Sequence, residues 1–461
     1  MIVVANRGPF SFTRREDGSL ATRRGAGGVV SALLPLLSGR PDTTWIAAAI
    51  APGDRLAAAR GEQVVEEIHL HLLDLDPELS RLHYDVVSNA TLWFLHHGLF
   101  DLIRQPRFDR RFRAAWEGYV EVNRAFADRV VGVAAEHEIA LVQDYQLALV
   151  PGLVRSRRPD LRVVHFTHTP FCGPNSIRVL PDDVATTLCG SMASVPCGFH
   201  TRRWARAYEA STREVLGDDA DIAPWFVASL GPDAAALEEV AASPEARASG
   251  RDLDDLVGDR AVILRTDRIE PSKNVVRGFL AYDLLLEQHP EWRERVVFVA
   301  LVYPSRQGRP EYLAYAQEIE QAVDRVNERW GTDGWVPVLL DTRDDFPRSV
   351  AGLTRYDVLL VNAMRDGLNL VAKEGPLLNR RDGVVCLSPG AGAFDELREA
   401  VLPVHPFDLT QTADALHRAL SMPPAERAAL AGRLRDLAAA RSPSDWLADL
   451  VAHAEGEEPS R

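Results

Sequence analysis

Apolar residues in this chain gather in short, nearly unbroken runs: MIVVAN (1–6), ALVQDY (140–145), RVVHFTHTP (162–170), AVILRTDR (261–268), RVVFVALVYP (295–304), YDVLLVN (356–362) and GVVCLSP (383–389). A strand that is apolar at consecutive positions has both faces covered, which is the pattern of parallel sheets packed between helices. Longer stretches with helical spacing separate the runs, the amphipathic 111–135 among them. The pattern predicts an α/β chain in which each half is doubly wound. The segment 211–258 is rich in Ala, Asp, Glu, Gly and Ser, and its ASLGPDA stretch carries the Gly-Pro signal of a connection. We therefore expect one domain over 1–231 and a second over 232–440. The helical pattern of 411–455 predicts a tail, with 441–461 packing back on the first domain.

Composition narrows this picture. With 461 residues and 46% hydrophobic content, the chain is long enough for two cores and too apolar to be disordered. A formal charge of 52 − 66 = −14 excludes the basic field of a nucleic-acid or membrane-surface protein, so an anionic ligand needs a local basic cluster. The four cysteines form no C-x-x-C pair and no Cys/His spacing suited to zinc, so neither disulfides, nor a metal, nor a cofactor is expected. No apolar run approaches the roughly 20 residues of a membrane span, and the N-terminus does not read as a leader, which predicts a cytoplasmic protein. Self-association is left open. Only two of the 52 basic residues are lysines, Lys273 and Lys373. Where arginine has replaced nearly every lysine, a surviving ammonium can mark a task for a compact three-donor cation. We assign that meaning to Lys273 and not to Lys373.

In parallel sheets ligands bind beyond the carboxyl ends of strands, so the residues after each run come first. Arg7 and then GAGGVV (25–30) follow the first run, and glycines there let backbone N–H groups approach a phosphate. The spacing is not G-x-G-x-x-G, which disfavours a dinucleotide oxidoreductase. Asp144 and His168 end two successive runs, where a carboxylate and an imidazole can orient sugar hydroxyls. Arg268 and Lys273 are expected to follow a strand and to aim two cations at one phosphate. In VLLVNAMRDGLNLVAKEGP, Asp366 precedes a turn, Asn369-Leu370-Val371 is expected to start a helix whose N–H groups can hold a diphosphate, and Glu374 can accept two ribose hydroxyls.

Together these residues resemble the trehalose-6-phosphate synthase family of retaining two-domain glycosyltransferases. The matching stretches are VANRG, SNATLW, QDYQL, HTPFCGPNSIRVLP, RIEPSKN, PSRQG, RDGLNLVAKE and LSPGAGAFDEL, up to PFDL at 406–409. The resemblance implies two Rossmann-like domains facing a central cleft, the GT-B type, with glucose passing from a nucleotide donor to glucose 6-phosphate. It implies an acceptor pocket of Arg7, Tyr84, Trp93, Asp144 and Arg306, in which Arg7, Tyr84 and Arg306 hold the 6-phosphate. On the donor side it implies Gly28, His168, Arg268, Lys273, Asp366, the backbone of Asn369, Leu370 and Val371, and Glu374. Of these, Arg268, Lys273, Asp144, His168 and Asp366 are the expected catalytic set. Two departures stand out: Gln146 closes the Asp-Tyr-His motif, and Asn274 replaces glycine in Ser-Lys-Gly. Bacterial pseudo-glycosyltransferases that couple a GDP-linked cyclitol to an amino-cyclitol phosphate share DYQL, the Lys-Asn step and PFDL. That wording favours GDP-glucose over UDP-glucose, whereas the intact RDGLNLVAKE favours a true sugar donor. A silent sugar-phosphate sensor is disfavoured by the intact cationic pair, and a pyridoxal-phosphate phosphorylase by the lack of a lysine suited to a Schiff base.

Overall fold

Each of the seven apolar runs contains a strand in the computed structural model, which describes residues 1–25, 28–38, 40, 42–306 and 309–457. The strands fall into two units, Met1–Leu230 with Pro443–Arg461, and Gly231–Ser442.

The first unit holds β1 (Ile2–Val4), a hairpin of β2 (Phe10–Arg14) and β3 (Leu20–Arg24), β4 (Thr44–Ala48), β5 (Gln63–Val65), β6 (Ile68–Leu73), β7 (Ile139–Gln143), β8 (Arg162–Thr167), β9 (Cys197–Phe199) and β10 (Trp225–Val227). Apart from the hairpin they form one sheet in the order β10-β9-β8-β7-β1-β4-β6-β5, parallel throughout except for the β5 edge. Val4 of β1 stands beside Ile46 on one side and Val142 on the other. Ile2, Val4, Ile46, Val142 and Phe126 share one core cluster, Phe126 coming from the helix Arg110–Val133. The chain builds outward from β1 in one direction, then returns to β7 on its other side. The carboxyl ends of β1 and β7 thus mark the switch point where this architecture binds ligands.

The second unit contains β11 (Ala261–Ile269), β12 (Val296–Pro304), β13 (Val338–Asp341), β14 (Val358–Val361), β15 (Val384–Leu387) and β16 (Leu402–Pro403), all parallel, in the order β13-β12-β11-β14-β15-β16. Counted within the unit this is 3-2-1-4-5-6, the Rossmann order, with its switch point between β11 and β14. The tail is three helices, Leu409–Ser421, Pro424–Ala439 and Pro443–Glu455. The last belongs to the first unit, where fully buried Trp446 packs its ring against Phe166 and His168. Among the described residues no helix is long and apolar enough to cross a membrane.

Candidate active site

Strand β11 is apolar from Val262 to Leu264 and then alternates charge: Arg265 and Asp267 point to one side and are buried, while Arg268 points to the other and is 47% exposed. Arg268 lies within the strand, not after it as the run length predicts, because the pairing with β12 continues to Ile269 opposite Pro304. Past the strand, a single turn of 3₁₀ helix at Pro271–Lys273 brings Lys273 back over the carboxyl end. Its ammonium lies 2.6 Å from Asp366 Oδ2 and 3.6 Å from Asp267 Oδ1. Burial works against the ammonium, but the two carboxylates outweigh it and hold the group above its ordinary pKa, so Lys273 is a cation. Arg268 Nη1 lies 3.4 Å from Glu270 Oε1, and Glu270 keeps the guanidinium firmly charged. Arg306 meets the same carboxylate at 4.0 Å and donates to the Tyr312 hydroxyl at 2.5 Å. Ala26, Gly27, Gln307 and Gly308, from the GAGGVV and PSRQG motifs, lie outside the described residues; Gly28 opens the helix Gly28–Leu37.

Asp366 is held by its backbone. Its N–H donates to the Gly390 carbonyl at 3.0 Å, its carbonyl accepts from the Gly392 N–H at 3.2 Å, and Ala393 N–H reaches the Leu368 carbonyl at 2.7 Å. A Cβ on Gly392 would stand 2.0 Å from the Gly367 carbonyl oxygen, so the close approach of the two loops requires glycine there. Asn369 Nδ2 donates to Asp366 Oδ2 at 3.1 Å, and its Oδ1 accepts from the Ala372 N–H at 3.2 Å. The helix runs Val371–Leu378, two residues later than the sequence predicts, because Asn369 takes a left-handed backbone (φ 75°) that cannot belong to the helix, and Leu370 stands at its N-cap. Leu370 and Val371 supply N–H groups at that helix start, where intrahelical partners are lacking. Glu374, one turn in, is half-buried, and burial pushes its carboxyl up to about 7. Lys373 faces away into the protein, fully buried against the Glu396 carboxylate at 3.0 Å.

In the first unit, Arg7 Nη2 approaches the Tyr84 hydroxyl at 3.4 Å. Tyr84 rides on a wide helical turn, Leu82–Leu92, with i→i−5 bonding: the Ser88 and Thr91 hydroxyls donate to the His83 and Val86 carbonyls, and Trp93 N–H to Ser88. Such turns are rare and concentrate at functional sites. Trp93 is 2% exposed, its ring stacked on His97 at 4.1 Å, so it offers little surface. Asp144 accepts from the His168 N–H at 3.1 Å. The His168 ring sits between Gln143 Oε1 (2.9 Å from Nε2) and His200 Nε2 (3.2 Å from Nδ1); burial, with His200 and His165 nearby, keeps it neutral.

Backbone strain marks the same places. Nine described residues other than glycine have positive φ, and four of them are Asp144, Asn274, Arg306 and Asn369. Strain of this kind persists where surrounding structure enforces it, commonly at ligand sites. Reading the sequence missed Asp267, Glu270, Gln143, His200 and Asn362. For Asp267 a signal was present, since Arg265 and Asp267, two residues apart in a central strand, fall on one side and imply a buried pair. One described group could bring three side chains to an ion: His289, Glu291 and His417. There the imidazoles stack in parallel at 3.6 Å, and Trp292 Nε1 donates to His417 Nδ1, which occupies that nitrogen's lone pair.

The family model of Glycosyltransferase family 20 matches residues 1–455. A trehalose-6-phosphate synthase of Mycolicibacterium smegmatis is 33% identical over 452 residues, 92% of this chain and 86% of that protein. A UDP-forming alpha,alpha-trehalose-phosphate synthase A of Dictyostelium discoideum is 30% identical over 439 residues, 93% of this chain, which spans 58% of that protein's length. Among solved structures, the E. coli protein bound with UDP-2-fluoro glucose superposes with a TM-score of 0.86 at 26% identity, covering 100% of this chain and 99% of the other. A Burkholderia xenovorans UDP-forming synthase in complex with glucose-6-phosphate gives 0.84 at 25% identity, covering 99% of each. With matching motifs, matching Rossmann-like units and a family match over nearly its whole length, the chain belongs to glycosyltransferase family 20, the retaining GT-B glycosyltransferases that include the trehalose-6-phosphate synthases.

Proposed function

We propose that the chain moves the glucosyl group of a nucleoside diphosphate glucose to glucose 6-phosphate, with retention, giving α,α-trehalose 6-phosphate. The observation that carries this reading is the Lys273–Asp366 pair beside Arg268 at the switch point of the second sheet. On this reading Arg268 and Lys273 take the charge of the departing diphosphate, aided by the Leu370 and Val371 N–H groups. Asp366 and Glu374 accept hydroxyls of the transferred sugar and of the ribose. Arg7, Tyr84, Trp93 and Asp144 receive the acceptor in the first unit, and Arg306 carries the same expectation for the 6-phosphate. Neutral His168 orients a sugar hydroxyl. The acceptor oxygen bonds to the anomeric carbon on the face the phosphate leaves, the carbon–phosphate-oxygen bond breaks, and the hydroxyl proton passes to the leaving phosphate.

The donor base is where the expectation changes. Two of the three features behind GDP-glucose are tied to each other: Asn274 Nδ2 donates to the Pro406 carbonyl at 2.6 Å, so the Lys-Asn step and the PFDL segment occur together as one packing unit. Gln146, in DYQL, turns its backbone carbonyl to Asn123 and His83. None of this reports on a base. The relatives whose names or ligands specify a nucleoside specify uridine, and UDP-glucose is the donor we propose. Purified protein given glucose 6-phosphate with UDP-glucose or GDP-glucose should release nucleoside diphosphate and form the disaccharide phosphate, with higher kcat/KM for UDP-glucose. Release only with an amino-cyclitol phosphate would favour the pseudo-glycosyltransferase reading. Binding without release would favour a sensor.

A further inference from the structure

Arg265 is a cation with no exposed surface, deep in the second unit, and its surroundings all lead to Lys273. Its Nη2 donates to the Lys273 carbonyl at 3.1 Å and to Asn362 Oδ1. Its Nε lies 3.7 Å from Asp267 Oδ2, and the other oxygen of that carboxylate is 3.6 Å from the Lys273 ammonium. Arg265 therefore grips the lysine twice, at its carbonyl directly and at its ammonium through Asp267. Asn362, just past β14, closes the clamp: its Nδ2 donates to the Asn274 carbonyl at 3.3 Å, while Asn274 Nδ2 donates back to the Asn362 carbonyl at 2.9 Å. The pocket is cut for a guanidinium. A Cβ on Gly278 of the facing helix would lie 3.3 Å from Nη1. Among the described residues neither Nε nor Nη1 has a hydrogen-bond partner, so the guanidinium is oriented by the two bonds of Nη2 and by Asp267. A buried charge with incomplete hydrogen bonding is a poor stability device, and such groups persist where they fix one geometry.

We propose that Arg265 is a positioning residue for donor binding, fixing the Lys273 ammonium where the diphosphate arrives, with Asn362 as its anchor on β14. The proposal rests on the reading that Lys273 binds the donor diphosphate. An ammonium on a four-carbon stem explores many positions, and the fork of arginine can pin the turn that carries it where a second ammonium could not. As the donor phosphate approaches, Lys273 can turn from Asp366 toward it while Asp267 keeps it in place.

The test is a double-mutant cycle read by calorimetric binding of UDP and GDP, using whichever binds the parent protein more tightly. Lys273→Ala should weaken that nucleotide by about tenfold or more, and Arg265→Met by about tenfold. In the double variant the Arg265→Met effect should disappear, because a residue acting only through Lys273 has nothing left to position. Multiplied effects, or unchanged affinity in Arg265→Met, would overturn the proposal. Unchanged affinity in Lys273→Ala would instead sink the diphosphate reading on which it rests. Should Arg265→Met not fold, Asn362→Ala, which loosens the clamp and keeps the buried charge paired with Asp267, takes its place in the same cycle: loss that vanishes without Lys273 supports the proposal, and loss that persists overturns it. The KM for glucose 6-phosphate should stay unchanged in either variant.

Discussion

A single ammonium at position 273 neutralises two carboxylates and, on the proposed reading, meets the donor phosphate. Lys273→Ala should lower turnover on the order of 100-fold or more, the usual loss when one donor to developing charge is removed. It should also lower the melting temperature at pH 8, because Asp366 loses its cation and Asp267 is left with Arg265 alone. Burial already raises the Asp267 carboxyl above its ordinary value, so acid protonates it readily and the stability loss should shrink at pH 5. Substitution at Glu374 should move the melting temperature the other way. Its folded pKa of about 7 lies above that of a free carboxyl, so the ionised side chain destabilises the fold at pH 8 and ceases to do so as pH falls below the unfolded value. Glu374→Gln should raise the melting temperature at pH 8 and leave it unchanged near pH 4. The same substitution should weaken donor binding at pH 8, and in the parent protein the donor KM should climb as pH falls through about 7. A melting temperature unchanged at both pH values would remove burial as the cause.

The turn between β11 and the helix Val275–Gln288 is strained, since Asn274 holds a left-handed backbone (φ 62°, ψ 37°). Asparagine tolerates that conformation better than other side chains, which is how it stands where the family has glycine. It also bonds the Asn362 and Pro406 carbonyls, both in the second unit. Asn274→Gly should be nearly neutral, easier backbone offsetting the lost bonds. Asn274→Ala loses the bonds and keeps the strain, and should cost about 1 to 3 kcal/mol in denaturant melts. Turns of this sort are also where the sequence was least legible. Seven strands announced themselves through runs such as AVILRTDR, because burial on both faces demands continuous apolar residues. Strands β2 to β6, β9, β10, β13 and β16 lie outside those runs: β9, β10 and β16 are two or three residues long and set by neighbours rather than by pattern, and in β6, IHLHLL, histidines interrupt the apolar run. The site was legible where chemistry sits in contiguous motifs, as in RDGLNLVAKE. It was not where partners come from distant segments: nothing near Asp267 in sequence announces Asp366, and nothing around Tyr84 announces a wide helical turn.

At the scale of the whole chain, the second unit is an insertion between parts of the first, which is completed only by its last helix. The chain leaves the first unit at Leu230 and returns at Pro443, where Trp446, Leu447 and Leu450 are buried. Trp446 has no exposed surface, and its ring contacts Phe166 on β8 at 5.2 Å and His168 just beyond at 5.6 Å. Deleting that ring opens a cavity directly behind the end of β8, which presents His168, so Trp446→Ala should destabilise the first unit by about 3 to 5 kcal/mol. The effect should be local in kind. Because the residues proposed here to hold the diphosphate and ribose, Arg268, Lys273, Leu370, Val371 and Glu374, belong to the second unit, nucleotide affinity should hold at temperatures below the first unit's transition, while kcat falls as His168 loses its support. Calorimetric melting together with nucleotide titration checks this. A variant that melts with the first transition lowered and still binds nucleotide would show that the C-terminal helix is structural to the first unit. Loss of nucleotide binding alongside the melt would instead tie the two units into a single folding block.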